Sequence, residues 1–168
     1  MKEKTKMIWQ KIRPYILPYS VAIAIPLVVG ISSAAITRDD MQVYSRLDTP
    51  PLAPPSWIFP IVWTLLYILM GISSGMIFLK RKSDLDASRQ GLVYYTLSLV
   101  LNFVWSIVFF KFQAAFFALI ILIALLISII KTIIEYRKVC PIAAYIQIPY
   151  TIWVAFAGYL NAGIWLMN

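Results

Sequence analysis

Charged residues are scarce in this sequence, and histidine is absent. Of the 168 residues, 13% are charged and 61% are apolar, and Cys140 is the single cysteine. Soluble domains carry about 25% charged residues, so this composition excludes a water-soluble fold. A single cysteine excludes an internal disulfide, and the lack of histidine removes the commonest metal and haem-iron ligand. We therefore predict that the protein uses no metal and no resident cofactor.

The few charges are grouped, and they leave five long uncharged runs. These runs cover residues 14–37, 49–79, 90–110, 112–130 and 139–168. Each can cross about 30 Å of hydrocarbon, which takes roughly 20 apolar residues. We predict one all-α membrane domain over residues 1–168, a bundle of five transmembrane helices at about 14–37, 56–79, 90–110, 112–134 and 140–166. Five helices leave too little chain for a soluble catalytic domain.

Lysine and arginine are divided unequally between the two ends of the predicted helices. Of the 15 basic residues, all but Arg38, Arg46 and Lys111 lie in the N-terminal segment or in connections on its side. The positive-inside rule then predicts a cytoplasmic N-terminus and an external C-terminus, an arrangement suited to a bacterial plasma membrane. We interpret the net charge of +8 as a face that meets anionic lipid headgroups, and we expect no nucleic-acid partner.

No charged residue lies deep within a predicted helix. Ion pumps, proton-coupled carriers and channels for charged substrates normally keep an ionisable group in the membrane, because the moving charge must be compensated. The distribution of charge therefore argues against all three classes.

Proline is concentrated in the first predicted external connection, residues 38–55, which ends in the run TPPLAPP. Prolines hold the chain extended, lack amide donors and stop helices. We predict a stiff flap over the mouth of the bundle, with Ser56 as N-cap of the second helix. An ordinary proline-rich linker is the alternative.

Tryptophan is placed at two depths. Trp9, Trp57 and Trp165 lie near helix ends, as in the aromatic belts of membrane proteins. Trp63 and Trp105 lie about 10 Å from the external end of their helices, and Trp153 about 20 Å from it. An indole N–H at that depth needs a hydrogen-bond partner or a polar cavity.

Helical spacing places the deep tryptophans on three side-chain stripes. The stripes consist of Trp63 and Tyr67, of Asn102, Trp105 and Phe109, and of Trp153, Ala157 and Asn161. Together they predict an apolar ligand pocket with a few oriented polar groups in the external half of the bundle. The alternative is that they are ordinary packing faces, with Asn102 and Asn161 bonded between helices. The small pair Gly71 and Gly75 predicts close packing within the bundle or across a dimer.

Three segments resemble one family of membrane proteins. The runs are PPSWIFPIVWTLLY at 54–67, LNFVWS at 101–106 with Phe109-Phe110, and PYTIWVAFA at 149–157 with Leu160-Asn161 and Ile164-Trp165. They are similar, in order, to the second, third and fifth helices of the translocator protein, or tryptophan-rich sensory protein, family (TspO/MBR).

The resemblance implies a five-helix, commonly homodimeric protein that binds porphyrins and, in some members, sterols or synthetic aromatic ligands. It places Trp63, Tyr67, Asn102, Ser106, Phe109, Trp153 and Ala157 on the pocket lining and Tyr44 in the loop above it. Two positions depart from the family pattern. Leu166 follows Trp165 where many members have an arginine of a cholesterol motif, and Ile121 stands where many have an acidic residue.

Three functions stay open at this point. The first is binding and sensing of a protoporphyrin-like tetrapyrrole or related flat ligand, stacked on the deep tryptophans and oriented by Asn102 and Asn161. The second is the light-dependent oxidative breakdown of porphyrin attributed to some relatives, although the sequence offers no acid–base pair or activated nucleophile. The third is facilitated transport of porphyrin, haem or lipid.

Overall fold

The computed structural model describes residues 2–38, 40, 44 and 46–168, with side chains from residue 13 onwards. The predicted all-α bundle of five helices is confirmed. The elements are α1 (Lys2–Thr37), α2 (Ile58–Lys80), α3 (Leu85–Ser106) with a π-helical turn (Ile107–Lys111), α4 (Ala115–Val139), and a fifth helix divided into α5 (Pro141–Ile146) and α6 (Ile148–Met167). The Trp9 side chain and flap residues 39, 41–43 and 45 lie outside the described residues.

Among the residues that the structure describes, four segments are long and apolar enough to cross a membrane: Arg13–Thr37, Ile58–Lys80, Leu85–Lys111 and Ala115–Val139. Helix α6 is long enough, with 20 residues, but its Tyr, Asn, Gly and Pro residues lower its mean hydropathy, and it is not one of these four segments. Four apolar spans in one chain establish an integral membrane protein.

Several helices begin or end away from the predicted boundaries. An uncharged apolar run indicates which residues lie in the hydrocarbon layer, whereas the helix can extend beyond that layer. Helix α1 starts at Lys2, within the basic segment. Helix α3 starts at Leu85 instead of residue 90, because the Asp84 side chain accepts a hydrogen bond from the Ala87 amide at 2.9 Å and caps the helix. Helix α4 continues to Val139, because two basic residues in its last turn interact favourably with the negative end of the helix dipole.

Two other boundary predictions are wrong. The fourth helix starts at Ala115 and not at residue 112, because the π-helical turn and a positive φ of 51° at Gln113 occupy the junction. Ser56 does not cap α2; Trp57 holds the cap position, and no side chain bonds there.

Prolines divide the last predicted helix, 140–166, into α5 and α6. Cys140 is extended, with φ of −153°, because the residue before a proline is disfavoured in helical geometry. Pro149 has no amide to bond the Tyr145 carbonyl, and the helix is interrupted two residues earlier, at Gln147. The predicted fifth span is therefore present, but it consists of two helices that are interrupted beside Pro149.

The helices form a closed ring. Helix α2 packs between α1 and α5, α4 packs against α3, α5 and α6, and α1 meets α3. Contact between α2 and α6 is much sparser than between α2 and α5. The bundle is therefore tight where α5 lies and more open towards the first loop. We call the first-loop side the loop end, and the side with the α2–α3 connection (81–84) the basic end.

Glycines allow α1 and α2 to come into backbone contact. A Cβ at Gly71 would collide with the Ile23 backbone and lie 2.8 Å from the Ala22 carbonyl oxygen, and one at Gly75 would lie 2.8 Å from the Tyr19 ring. The Ala22 carbonyl has no partner four residues ahead, since Pro26 lacks an amide. The small-residue pair therefore serves packing within the bundle.

The described part of the first loop is bound to α6. The Pro50 ring lies where a side chain on Gly163 would be, and the Tyr159 hydroxyl donates to the Pro51 carbonyl at 2.9 Å. The Asp48 amide donates to Asn168 Oδ1 at 3.1 Å, and Asn168 Nδ2 donates back to the Asp48 carbonyl at 3.0 Å. These contacts hold the loop across the loop end.

Candidate functional site

An apolar cavity of about 190 Å³ lies between α1, α2 and α3 in the half of the bundle nearest the first loop. The predicted site residues on its wall are Trp63, Tyr67, Asn102, Trp105 and Ser106. Two neighbouring helices, α2 and α3, thus bring five of the ten predicted residues together.

Trp63 lies at the centre of an aromatic cluster beside this cavity. Its ring centroid is 5.7 Å from Tyr67, with an interplanar angle of 29°, and 6.1 Å from Trp105. Tyr150 meets it edge-on at 6.2 Å, and Trp105 stacks on Phe109 at 5.8 Å. Aromatic pairs are favourable at about 4.5–7 Å, so the cluster presents a continuous series of ring faces and edges.

One hydrogen bond between side chains of two helices lies on the cavity wall. Asn102 Nδ2 on α3 donates to the Tyr67 hydroxyl on α2 at 3.2 Å. Thr37 and Thr64 also line the cavity, but their hydroxyls donate to carbonyls of their own helices, those of Ser33 and Pro60. Directed polarity for a ligand therefore comes from the Asn102–Tyr67 pair and from Ser106, which also lines the cavity.

Helix α1 forms one side of the cavity, which the sequence reasoning missed. The lining residues on α1 are Leu27, Gly30, Ile31, Ser33, Ala34 and Thr37. A Cβ at Gly30 would collide with the Tyr67 ring, so glycine is what admits that ring. The signal that was available is the helical spacing of the small residues Gly30, Ser33, Ala34 and Thr37.

A second cavity of about 480 Å³ lies between the π-helical turn, the start of α4 and the end of α6. It contains two other predicted site residues, Tyr44 and Phe109. Phe110, which was not predicted, lines both cavities and therefore lies where they adjoin. Phe110 meets Phe109 edge-on at 5.0 Å and Trp105 at 6.2 Å. The π-helical turn carries both phenylalanines, and such turns often mark functional sites.

The predicted residues of α6 lie behind this wall. The Trp153 ring centroid lies 6.0 Å from that of Phe59, which lines the first cavity. The indole Nε1 of Trp153 is buried and has no hydrogen-bond partner among the described residues. Ala157 is buried in the core. Asn161 accepts a hydrogen bond from Trp105 Nε1 at 3.2 Å and donates to the Ala115 carbonyl at 2.7 Å. Asn161 therefore joins helices, as the packing alternative expects.

Tyr44 connects the first loop to the aromatic residues. Its hydroxyl donates to the Pro54 carbonyl at 3.3 Å, and its ring meets Phe59 edge-on at 5.1 Å. Burial raises the pKa of the Tyr44 phenol, so the group remains a neutral donor at physiological pH.

Comparison with known proteins agrees with this architecture. Residues 22–166 match the TspO/MBR family. Tryptophan-rich protein TspO of Chlorobaculum tepidum is 33% identical over 156 residues, which is 91% of this chain and 97% of that protein. The protein of the same name from Archaeoglobus fulgidus is 35% identical, over 91% and 98% of the two chains. The Translocator protein of Bos taurus is 33% identical, over 86% of each. The chain therefore belongs to the TspO/MBR family.

Proposed function

We propose that this protein binds porphyrins of the protoporphyrin type, and related flat apolar ligands, inside the membrane. The observation that supports it most is the cavity between α1, α2 and α3, whose wall includes Trp63 and Trp105. Ring stacking and burial of apolar surface would supply affinity. The Asn102–Tyr67 pair would orient a polar edge of the ligand.

The size of the cavity determines how such a ligand would enter. Pockets for drug-sized ligands measure roughly 300–1,000 Å³, so a cavity of about 190 Å³ is too small for a tetrapyrrole. Rotation of Phe110 would join it to the neighbouring cavity of about 480 Å³. Arg46 and Lys111, both exposed at this end, would attract the propionates of the pigment.

The surroundings of the protein are part of the same proposal. We infer that the basic end faces the cytoplasm of a bacterial plasma membrane and that two copies form a homodimer. Large apolar side chains exposed along the helices, including Leu17, Val28 and Ile123, would contact membrane lipids.

Saturation binding of protoporphyrin to the protein in lipid nanodiscs, followed by tryptophan quenching, tests the proposal. Trp63→Leu should weaken binding at least about tenfold, which corresponds to 1.4 kcal/mol. Trp57→Leu is the matched control, because Trp57 is 64% exposed and lines neither cavity. Equal affinity of Trp63→Leu and the wild type would disprove the site.

The close series of oxidisable rings formed by Tyr67, Trp63 and Trp105 favours light-dependent porphyrin breakdown as the second candidate. Illumination of the complex in air should then bleach the pigment faster than free pigment. Bleaching at the rate of free pigment would leave binding as the function. Facilitated transport instead requires protein-dependent pigment flux into proteoliposomes.

A further inference from the structure

Polar side chains form a stripe along one face of α3, from the basic end to the aromatic cavity. The stripe consists of Ser88, Tyr95, Ser98 and Asn102, which recur at spacings that place them on the same side of a helix. All four are buried, with exposures of 6% or less. Ser88 and Asn102 are 14 residues apart, which is about 21 Å along the axis. The stripe therefore covers most of the thickness of a membrane.

Four hydroxyls on or beside this stripe have no hydrogen-bond partner in the part of the protein that the structure describes. They belong to Ser88, Tyr95, Tyr136 and Tyr150. Tyr136 and Tyr150 are each at most 1% exposed. The hydroxyls of Ser74 and Ser98 are bonded to carbonyls of their own helices and are not donors to the tyrosines. Four such groups in one region of the bundle need a common explanation.

The unpartnered groups are neighbours. The Tyr95 and Tyr136 rings are 6.5 Å apart, and Tyr136 packs on Gly91, which lies one turn from Ser88. The Tyr150 hydroxyl lies beside Ser98 and Asn102, and the Tyr95 hydroxyl beside Ser74, without completing hydrogen bonds. Polar side chains therefore occur at successive levels of the bundle between Ser88 and Asn102 on the cavity wall.

A buried hydroxyl without a partner is costly, most of all in a membrane where bulk water is absent. Proteins commonly satisfy such groups with bound water, which needs a polar site with two to four partners. Clustered tyrosine and serine hydroxyls supply donors and acceptors of this kind.

We propose that a chain of internal water molecules follows the α3 stripe and connects the aromatic cavity with the basic end. At one end, Asn102 lines the cavity, and at the other, Ser88 borders an open groove between Arg81 and Arg89. The chain gives the cavity a route for water and protons that is too narrow for the ligand. This inference does not depend on which ligand the cavity binds.

Hydroxyl-radical footprinting of the protein in nanodiscs tests the proposal directly, because radiolysis of bound water labels adjacent side chains even when they are buried. Labelling rates are normalised to those of the unfolded chain. Tyr95, Tyr136 and Tyr150 should be at least about tenfold less protected than Leu122 and Leu125, which are at most 2% exposed in the same bundle. Protection of the tyrosines equal to that of the leucines would overturn the proposal.

A pair of variants gives an independent readout. If Tyr136 bonds water, Tyr136→Phe removes a partner from the chain, and we expect a lower Tm and greater protection of Tyr95. If the hydroxyl is dry, the same change relieves an unpaired group, and a higher Tm would contradict the proposal. Tyr145→Phe is the control, because Tyr145 is 57% exposed and its change should leave both readouts unaltered.

Discussion

Two buried asparagines in this bundle have different tasks. Asn102 bonds Tyr67 on the cavity wall, whereas Asn161 connects Trp105 to the first turn of α4. Both asparagines lie on helical stripes in the sequence, and spacing alone could not show which one faces the cavity and which one joins helices. The difference depends on which helix each amide faces, and that is set by tertiary packing.

Asn161→Leu should destabilise the protein by at least about 2 kcal/mol, because it leaves the buried Trp105 indole N–H without a partner and removes the hydrogen bond that ties α6 to the Ala115 carbonyl. Thermal unfolding in detergent, followed by near-UV circular dichroism, measures the change in Tm. Tyr159→Phe, which removes an exposed hydrogen bond to Pro51, should cost less than about 1 kcal/mol. Equal losses from the two variants would contradict this role of Asn161.

Phe110→Ala should tighten protoporphyrin binding about tenfold. Displacing this half-buried ring costs on the order of 1–2 kcal/mol, and the variant removes that cost by joining the two cavities. Phe112→Ala is the control, since Phe112 is 67% exposed and lines neither cavity. Titration in nanodiscs compares the two, and unchanged affinity of Phe110→Ala would show that Phe110 is not the barrier.

At the scale of elements, hydropathy predicts the number and order of the helices, because each helix needs an apolar segment long enough to cross the hydrocarbon layer. Their ends follow other physics. The Asp84 cap and the proline at 149 were visible in the sequence, but charge-based boundaries placed the ends elsewhere. The π-helical turn at Ile107–Lys111 has no comparable signal in the sequence. It packs against α4, and tertiary packing of this kind is not visible in local sequence.

The candidate site was partly predictable for a similar reason. Deep tryptophans identify α2 and α3, since an indole far from the interface needs a partner. Helix α1 contributes only small or aliphatic residues, such as Gly30 and Ala34, whose part in the cavity depends on the ring of Tyr67 entering beside them. Small side chains give only a weak signal in a sequence that a cavity lies beside them.

The contact between α1 and α2 provides a matched pair of glycine substitutions. Gly71→Ala places a methyl group against the Ile23 backbone and should cost about 1–3 kcal/mol through overpacking. Gly158→Ala meets nothing within 4 Å and should stabilise α6 by about 0.5–1 kcal/mol. Thermal unfolding separates them, and a Gly71→Ala protein as stable as Gly158→Ala would refute the close approach.

For the whole molecule, the distribution of basic residues predicts which end faces the cytoplasm. In intact bacterial cells, Ser56→Cys at the loop end should react with a membrane-impermeant maleimide, and Ser83→Cys at the basic end should react only after lysis. The wild type is the background control, because Cys140 is 1% exposed. The reverse pattern would show the opposite orientation.

The central claim is that a flat tetrapyrrole lies between α1, α2 and α3, against Trp63 and Trp105. Fluorine NMR of protein labelled with 5-fluorotryptophan tests it at all six tryptophans, with single substitutions to assign the resonances. Protoporphyrin should shift the Trp63 and Trp105 resonances most, through its ring current, and leave that of the exposed Trp57 in place. Shifts confined to Trp9, Trp57 and Trp165, near the helix ends, would contradict the claim.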